Sequence, residues 1–235
     1  MGFFISLGIV IIAMLIMASL QLQPGVFALL NHYASGKYSK AKTSDLTLFF
    51  IIGAETAAAC LFLCSYYLAN LFFLYQFRPE TSFFAWILVG ILVALAIMSL
   101  FFYFRQDPGT KLFISRECAR NLDAHARLAK SRSDAFALGA FSSICELIFT
   151  LPLYIITSAE IMEMTVEFFP SYLLTILYII IPTIPLFIIR WRFQAGHNLA
   201  DIERSRVKDK NFTRIILCFS YISITILFIY FRIIT

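Results

Sequence analysis

The chain has 235 residues, 60% of them hydrophobic and 14% charged, with a mean hydropathy of +0.83. A soluble domain carries about 25% charged residues, so the composition argues against a soluble enzyme and for one polytopic membrane domain over residues 1–235. The net charge of +5 sits in loops facing anionic lipid and carries no message of nucleic-acid binding.

Crossing about 30 Å of hydrocarbon takes about 20 residues, and six segments meet that need. The first, Phe3–Leu30, holds Ser19, Gln21 and Gln23 just before Pro24-Gly25. No Lys or Arg precedes it, so it reads as a first transmembrane helix rather than a signal peptide. Proline removes a helical hydrogen bond and kinks the rod. Amides and freed carbonyls at such a kink could hold a cation or orient a polar solute.

The second segment, Leu46–Tyr75, contains one charge, Glu55. Asp45 follows Ser44 and is expected to cap the helix. Glu55 lies ten residues beyond Asp45, about 15 Å along a helix and close to mid-membrane. Gly53, Ala57, Cys60 and Cys64 form a line of small residues, expected to be a packing seam. The third segment is Phe83–Phe104. The basic stretch 105–134 follows it and divides the halves 1–104 and 135–235. Within that stretch Arg116, Arg120, Arg127 and Lys130 recur on one face, while Ala119, Leu122, Ala126 and Ala129 share another. This pattern predicts a short amphipathic helix lying on lipid headgroups.

The fourth segment, Ala135–Ser158, opens at Asp134, another expected cap. Ala135, Gly139, Ser142, Ser143, Glu146 and Thr150 fall on one helical stripe, which should face protein or water rather than lipid. Glu146 lies twelve residues beyond Asp134, about 18 Å along the helix. Pro152 is the expected kink. The loop after this segment reads as acidic, with Glu160, Glu163 and Glu167. The fifth segment, Tyr172–Ile189, carries Pro182 and Pro185. A charged stretch near Arg192–Arg214 reads as a solvated extension of helices five and six, and the sixth segment is Ile215–Phe231.

Lys and Arg concentrate in the alternate loops that hold Lys37, Lys40 and Lys42, then Arg105–Arg132, then Arg190–Arg214. The positive-inside rule puts these loops in the cytoplasm and both termini outside. Three crossings per half force the halves into opposite orientation, the inverted-repeat arrangement of many secondary transporters. The expected fold is therefore an all-α membrane protein with six transmembrane helices in a 3+3 inverted repeat.

A carboxylate at mid-membrane is costly, by about 2.5–3.5 kcal/mol on insertion scales, and marks a functional position unless it is held as a structural hydrogen-bond donor. Glu146 and Glu55 are therefore the leading candidates for binding protons or substrate. Gln21, Gln23, Ser142, Ser143 and Thr150 are candidate ligands, and Pro24, Gly25 and Pro152 candidate hinges. Five cysteines without CxxC spacing argue against a disulfide framework. The histidines map to loops or helix ends, so no metal cluster and no cofactor are expected.

The stretch from about residue 8 to 75 resembles the LysE-like exporter superfamily. The residues that carry the likeness are Gln23-Pro24-Gly25, then Gly36-Lys37-Tyr38-Ser39-Lys40, then Gly53-Ala54. The resemblance implies a short six-helix exporter built from inverted three-helix halves. Val26 stands where a second proline is common, which leaves an amino-acid substrate open. Related thiol-redox carriers place cysteine beside the proline of helices one and four, where this chain has Gly25 and Leu153. Asp134-Ala-Phe-Ala is similar to a manganese-exporter signature, but at the membrane edge it reads as a cap.

The expected function is proton-coupled export of a small solute or cation across the plasma membrane, with no enzymatic activity. The alternatives are a membrane electron carrier using Cys60, Cys64 or Cys145, and a non-transporting scaffold. Expected partners are the lipid bilayer and the small solute or cation, with a homodimer left open.

Overall fold

The computed structural model describes residues 2–20, 22–74, 82–101, 116–164, 171–196 and 199–230. Every element among them is helical, as it must be for an apolar backbone to satisfy its own hydrogen bonds. In chain order they are α1 (Gly2–Ser19), α2 (Leu22–Ser35), α3 (Lys40–Leu74), α4 (Ser82–Phe101) and α5 (Arg116–Leu128). Then come α6 (Arg132–Cys145), α7 (Leu147–Met164), α8 (Ser171–Ile180), a 3-10 turn (Ile181–Thr183), α9 (Ile184–Gln194) and α10 (Leu199–Ile229).

Four stretches are long and apolar enough to cross a membrane: Phe3–Ser35, Lys40–Asn70, Tyr172–Gln194 and Asn211–Ile229. A fifth forms if Arg132–Cys145 and Leu147–Met162, bent by 75° at their junction, count as one crossing. The third predicted segment is α4, Ser82–Phe101, in which Trp86–Phe101 counts as a shorter apolar helix among the described residues.

The apolar interior divides into two clusters. One joins α1, α4, α7, α8 and α10 around Ile9, Leu92, Tyr154, Tyr178 and Tyr221. The other joins α2, α5, α6 and α9 around Phe27, Leu122, Leu138 and Leu186. Helix α3 serves both, with Leu46, Phe50, Ile51 and Ala54 in the second cluster and Phe62 in the first. Thus α1 passes the chain from first cluster to second through α2, and α6 returns it from second to first through α7. The 3-10 turn marks the same change between α8 and α9.

Among the described residues, helices α3 and α6 make the most extensive contact. Glycine permits it. A Cβ on Gly53 would overlap the backbone carbonyl of Phe136, and one on Gly139 would overlap that of Phe50. Close approach of backbones at small residues is how helices associate where apolar surface alone gives no preference. The sequence stripe Ala135, Gly139, Ser142, Ser143, Glu146 and Thr150 is buried throughout, as expected. The seam expected along α3 stops short: Gly53 is buried, but Cys60 and Cys64 are exposed. Ser143, near the end of α6, meets α3 at Ala54, so Cys60 and Cys64 lie beyond the reach of that crossing.

Other expectations are revised at the helix ends. Asp45 is not a cap, because α3 begins at Lys40, where Ser39 Oγ accepts the Lys42 N–H at 3.4 Å. Asp45 instead pairs with Arg132 Nη2 at 2.5 Å. Asp134 does serve a cap, as the third residue of a capping box whose N-cap is Ser131. The amphipathic helix forms as α5, and its Ala119, Leu122, Ala126 face is buried against protein. Tyr33 of α2 donates to Asp123 at 2.7 Å, and Lys37 donates to the Arg127 carbonyl at 2.9 Å. Gly196, just past the end of α9, has a φ of +95°, which favours glycine.

Candidate functional site

Three interruptions meet at one level. Helix α1 ends before Leu20, and α2 begins at Leu22. Pro24 sits in the first turn of α2, where a missing N–H costs nothing. Helix α6 ends at Glu146, whose φ of −88° and ψ of 0° leave the helical region. Pro152 lies inside α7, so the bend falls six residues before it rather than at it. The third interruption is the 3-10 turn at Pro182. Leu20, Glu146, Pro182 and Thr183 all line one small cavity.

An interrupted helix exposes N–H donors that need acceptors. Glu146 supplies one: its Oε1 accepts the Leu22 N–H at 2.9 Å. The carboxyl is buried, at 2% exposure, and faces the positive end of α2, a favourable place for negative charge. Beside it Gln23 Nε2 donates to Ser143 Oγ at 3.2 Å, and Ser143 Oγ donates to the Ala54 carbonyl at 3.1 Å. This chain links α2, α6 and α3. Thr150 Oγ1 donates to the Glu146 carbonyl at 3.3 Å, and Tyr221 Oη donates to the Phe149 carbonyl at 3.2 Å. Carbonyls around the bend thus find side-chain donors.

The cavity gives the centre of a water molecule about 20 Å³ in which to move, room for one water or one small ion. Its polar lining is Gln23, Glu146, Thr150, Tyr154, Tyr178 and Thr183. Of the predicted residues, the structure brings Glu146, Gln23 and Thr150 to the cavity and places Ser143 behind Gln23. Ser142 is buried but turned to the Gly139 carbonyl at 2.7 Å. Pro24 and Gly25 are buried in the first turn of α2. Gln21 lies outside the described residues.

Glu55 is half-buried beside the cavity rather than in its lining. Its neighbours Ala54, Ala58 and Thr183 line the space. One carboxyl oxygen of Glu55 is buried without a hydrogen-bond partner. Tyr154 lies within electrostatic reach of both Glu146 and Glu55.

Sequence reasoning missed Tyr154, Tyr178 and Glu160. Tyr154 continues the series Glu146, Thr150 at the next i+4 position, so the stripe itself could have revealed it. Glu160 was expected in an exposed acidic loop with Glu163 and Glu167. It instead lies within α7, is fully buried, and accepts a hydrogen bond from Ser6 of α1 at 2.5 Å. Glu163 also lies within the bounds of α7, and Glu167 lies outside the described residues. The helix runs past Ser158 because nothing up to Met164 breaks it, and α1 covers the face that carries Glu160.

Fold and site together define an all-α chain with four or five helices able to cross a membrane and a polar cavity at their interruptions, compatible with an integral membrane protein. Comparison with family models, with curated proteins and with solved structures gave no match.

Proposed function

We propose that the protein is a multi-pass secondary transporter of the plasma membrane, coupling proton movement to export of a small solute or cation at the Glu146 cavity. The carrying observation is the Glu146–Leu22 contact: a buried carboxyl at one helix interruption caps the helix that opens at another. Interrupted helices whose ends point at a buried polar site are how many secondary transporters hold ions and substrates.

The contact suggests a coupling mechanism. An ionised Glu146 makes a charge-assisted bond to the head of α2, worth about 1.5–3 kcal/mol. Protonation or a bound cation withdraws that charge and weakens the cap. A change of about 1.4 kcal/mol shifts a two-state balance tenfold. Loading Glu146 therefore loosens α2 from the α6–α7 joint and lets the joint change its 75° angle. With room for one water or ion, the described conformation is closed around the site, and a larger solute enters only as the joints move. Glu55 stands beside the same cavity as a second carboxyl on the path.

The full architecture we propose is six crossings in a 3+3 inverted repeat with both termini outside. The reversed order of the clusters along the chain supports it: α1 to α2 runs opposite to α6 to α7, and α3 opposite to α8 and α9. The LysE-like resemblance of the first third fits the same plan.

Reconstitution into proteoliposomes tests the reading. A pH gradient is imposed, and lumenal pH is followed with a panel of cations and small solutes. Wild-type protein should move protons with at least one of them, and Glu146→Gln should not. Equal proton flux from both across the whole panel rejects the proposal.

A further inference from the structure

The Sγ atoms of Cys118 and Cys145 lie 3.0 Å apart. Cys118 lies in the first turn of α5, and Cys145 is the last residue of α6, immediately before Glu146. The two helices fold back on each other through Ala129–Ser131, so their far ends meet at the bend. Both thiols are free and partly buried. We propose that Cys118 and Cys145 form a reversible disulfide, a covalent clasp across the α6–α7 joint.

A disulfide needs its sulfurs about 2.05 Å apart, about 1 Å closer than the 3.0 Å at which they stand. The chemistry uses a low-molecular-weight disulfide such as oxidised glutathione. One protein thiolate attacks it, expelling one glutathione thiolate and forming a mixed disulfide. The second protein thiolate attacks that sulfur and expels the other glutathione. Two protein thiols lose two electrons and two protons, and one glutathione disulfide becomes two thiols. Excess reduced thiol reverses both steps.

The clasp has a structural consequence independent of any transported species. Helix α5 is already tied to α2 through Tyr33–Asp123 and Lys37–Arg127. Joining Cys145 to Cys118 couples the end of α6 to that body and holds the bend beside Glu146. In the orientation proposed above, the α5–α6 hairpin enters from the cytoplasmic side, and disulfides in that compartment are transient and redox-sensing rather than structural. The remaining cysteines offer no equivalent: Cys60 and Cys64 are exposed on α3, and Cys218 is on α10.

The test uses the full chain in lipid nanodiscs, titrated with oxidised glutathione and mapped by proteolysis and mass spectrometry. The expected result is a Cys118–Cys145 cross-linked peptide that forms with the titration and disappears on reduction. Amide hydrogen exchange at residues 142–150 should slow by ~3-fold or more on oxidation, since local opening is what the clasp removes. Cys118→Ser should abolish both effects. Should that variant misfold, a triple Cys60→Ser, Cys64→Ser, Cys218→Ser protein retaining the cross-link serves instead. Independent alkylation of Cys118 and Cys145 at saturating oxidant overturns the proposal, as does linkage only between copies through Cys60 or Cys64. Neither result depends on whether the protein transports protons.

Discussion

The Glu146 carboxyl and the Leu22 backbone N–H meet at 2.9 Å across 124 residues of chain. Each comes from a helix interruption, and each satisfies the other's need. The bend at Glu146 turns the carboxyl inward, and the start of α2 presents a donor without a helical partner.

Replacing Glu146 should separate structure from charge. Glu146→Gln keeps an acceptor for Leu22 and should cost under about 1 kcal/mol in thermal or denaturant unfolding in detergent. Glu146→Ala leaves a buried N–H unmatched and should cost about 1–3 kcal/mol. Equal stability of the two variants would mean that the cap contributes nothing.

The α3–α6 crossing should be intolerant of a single methyl. At Gly53 and Gly139 an added Cβ meets backbone rather than a movable side chain. Gly53→Ala and Gly139→Ala should each destabilise by about 1–3 kcal/mol, the usual cost of overpacking. Gly90→Ala on α4 meets nothing within 4 Å and should be neutral, or stabilising by about 0.4–1 kcal/mol. Unfolding midpoints of the three proteins check this.

Ser6 and Glu160 tie α1 to α7 at a fully buried position. Ser6→Ala should destabilise by about 1–3 kcal/mol through loss of a hydrogen bond to a buried acid. A double-mutant cycle with Glu160→Leu, which removes the acceptor, should give a coupling of at least about 0.5 kcal/mol. Strict additivity would show that the pair does not interact.

The ion pair at the other end of α6 should matter far less. Arg132 and Asp45 are 64% and 47% exposed at the side chain, and exposed pairs contribute about 0.2–1 kcal/mol. Arg132→Ala should lower stability by no more than that, and high salt should erase the difference. A larger loss that persists in salt would assign Arg132 a packing role.

Much of the architecture was legible in the sequence. Long apolar runs required helices, and their length made several of them able to cross a membrane. The spacing of Ala135, Gly139, Ser142, Ser143 and Glu146 identified the buried face of α6, because a helix repeats its faces every 3.6 residues. Gly53 and Gly139 announced close packing. Pro24 and Pro182 lie at interruptions, since proline cannot complete a helical hydrogen bond, whereas Pro152 lies inside α7.

The partners were not legible. In a chain this apolar, lipid and protein interior look alike to a hydropathy pattern, so Cys60 on an outer face and Glu160 in the core could not be sorted by composition. Local sequence also could not say where the fourth segment bends. The bend is fixed at Glu146 by Leu22, by the Gln23–Ser143 bond and by Tyr221, all from other helices. Periodicity states which side of a helix seeks company, whereas only the packed chain decides which donor stands opposite a buried acid. That choice, set by contacts between residues more than a hundred positions apart, turns one glutamate into a cap and leaves another at the edge of the cavity.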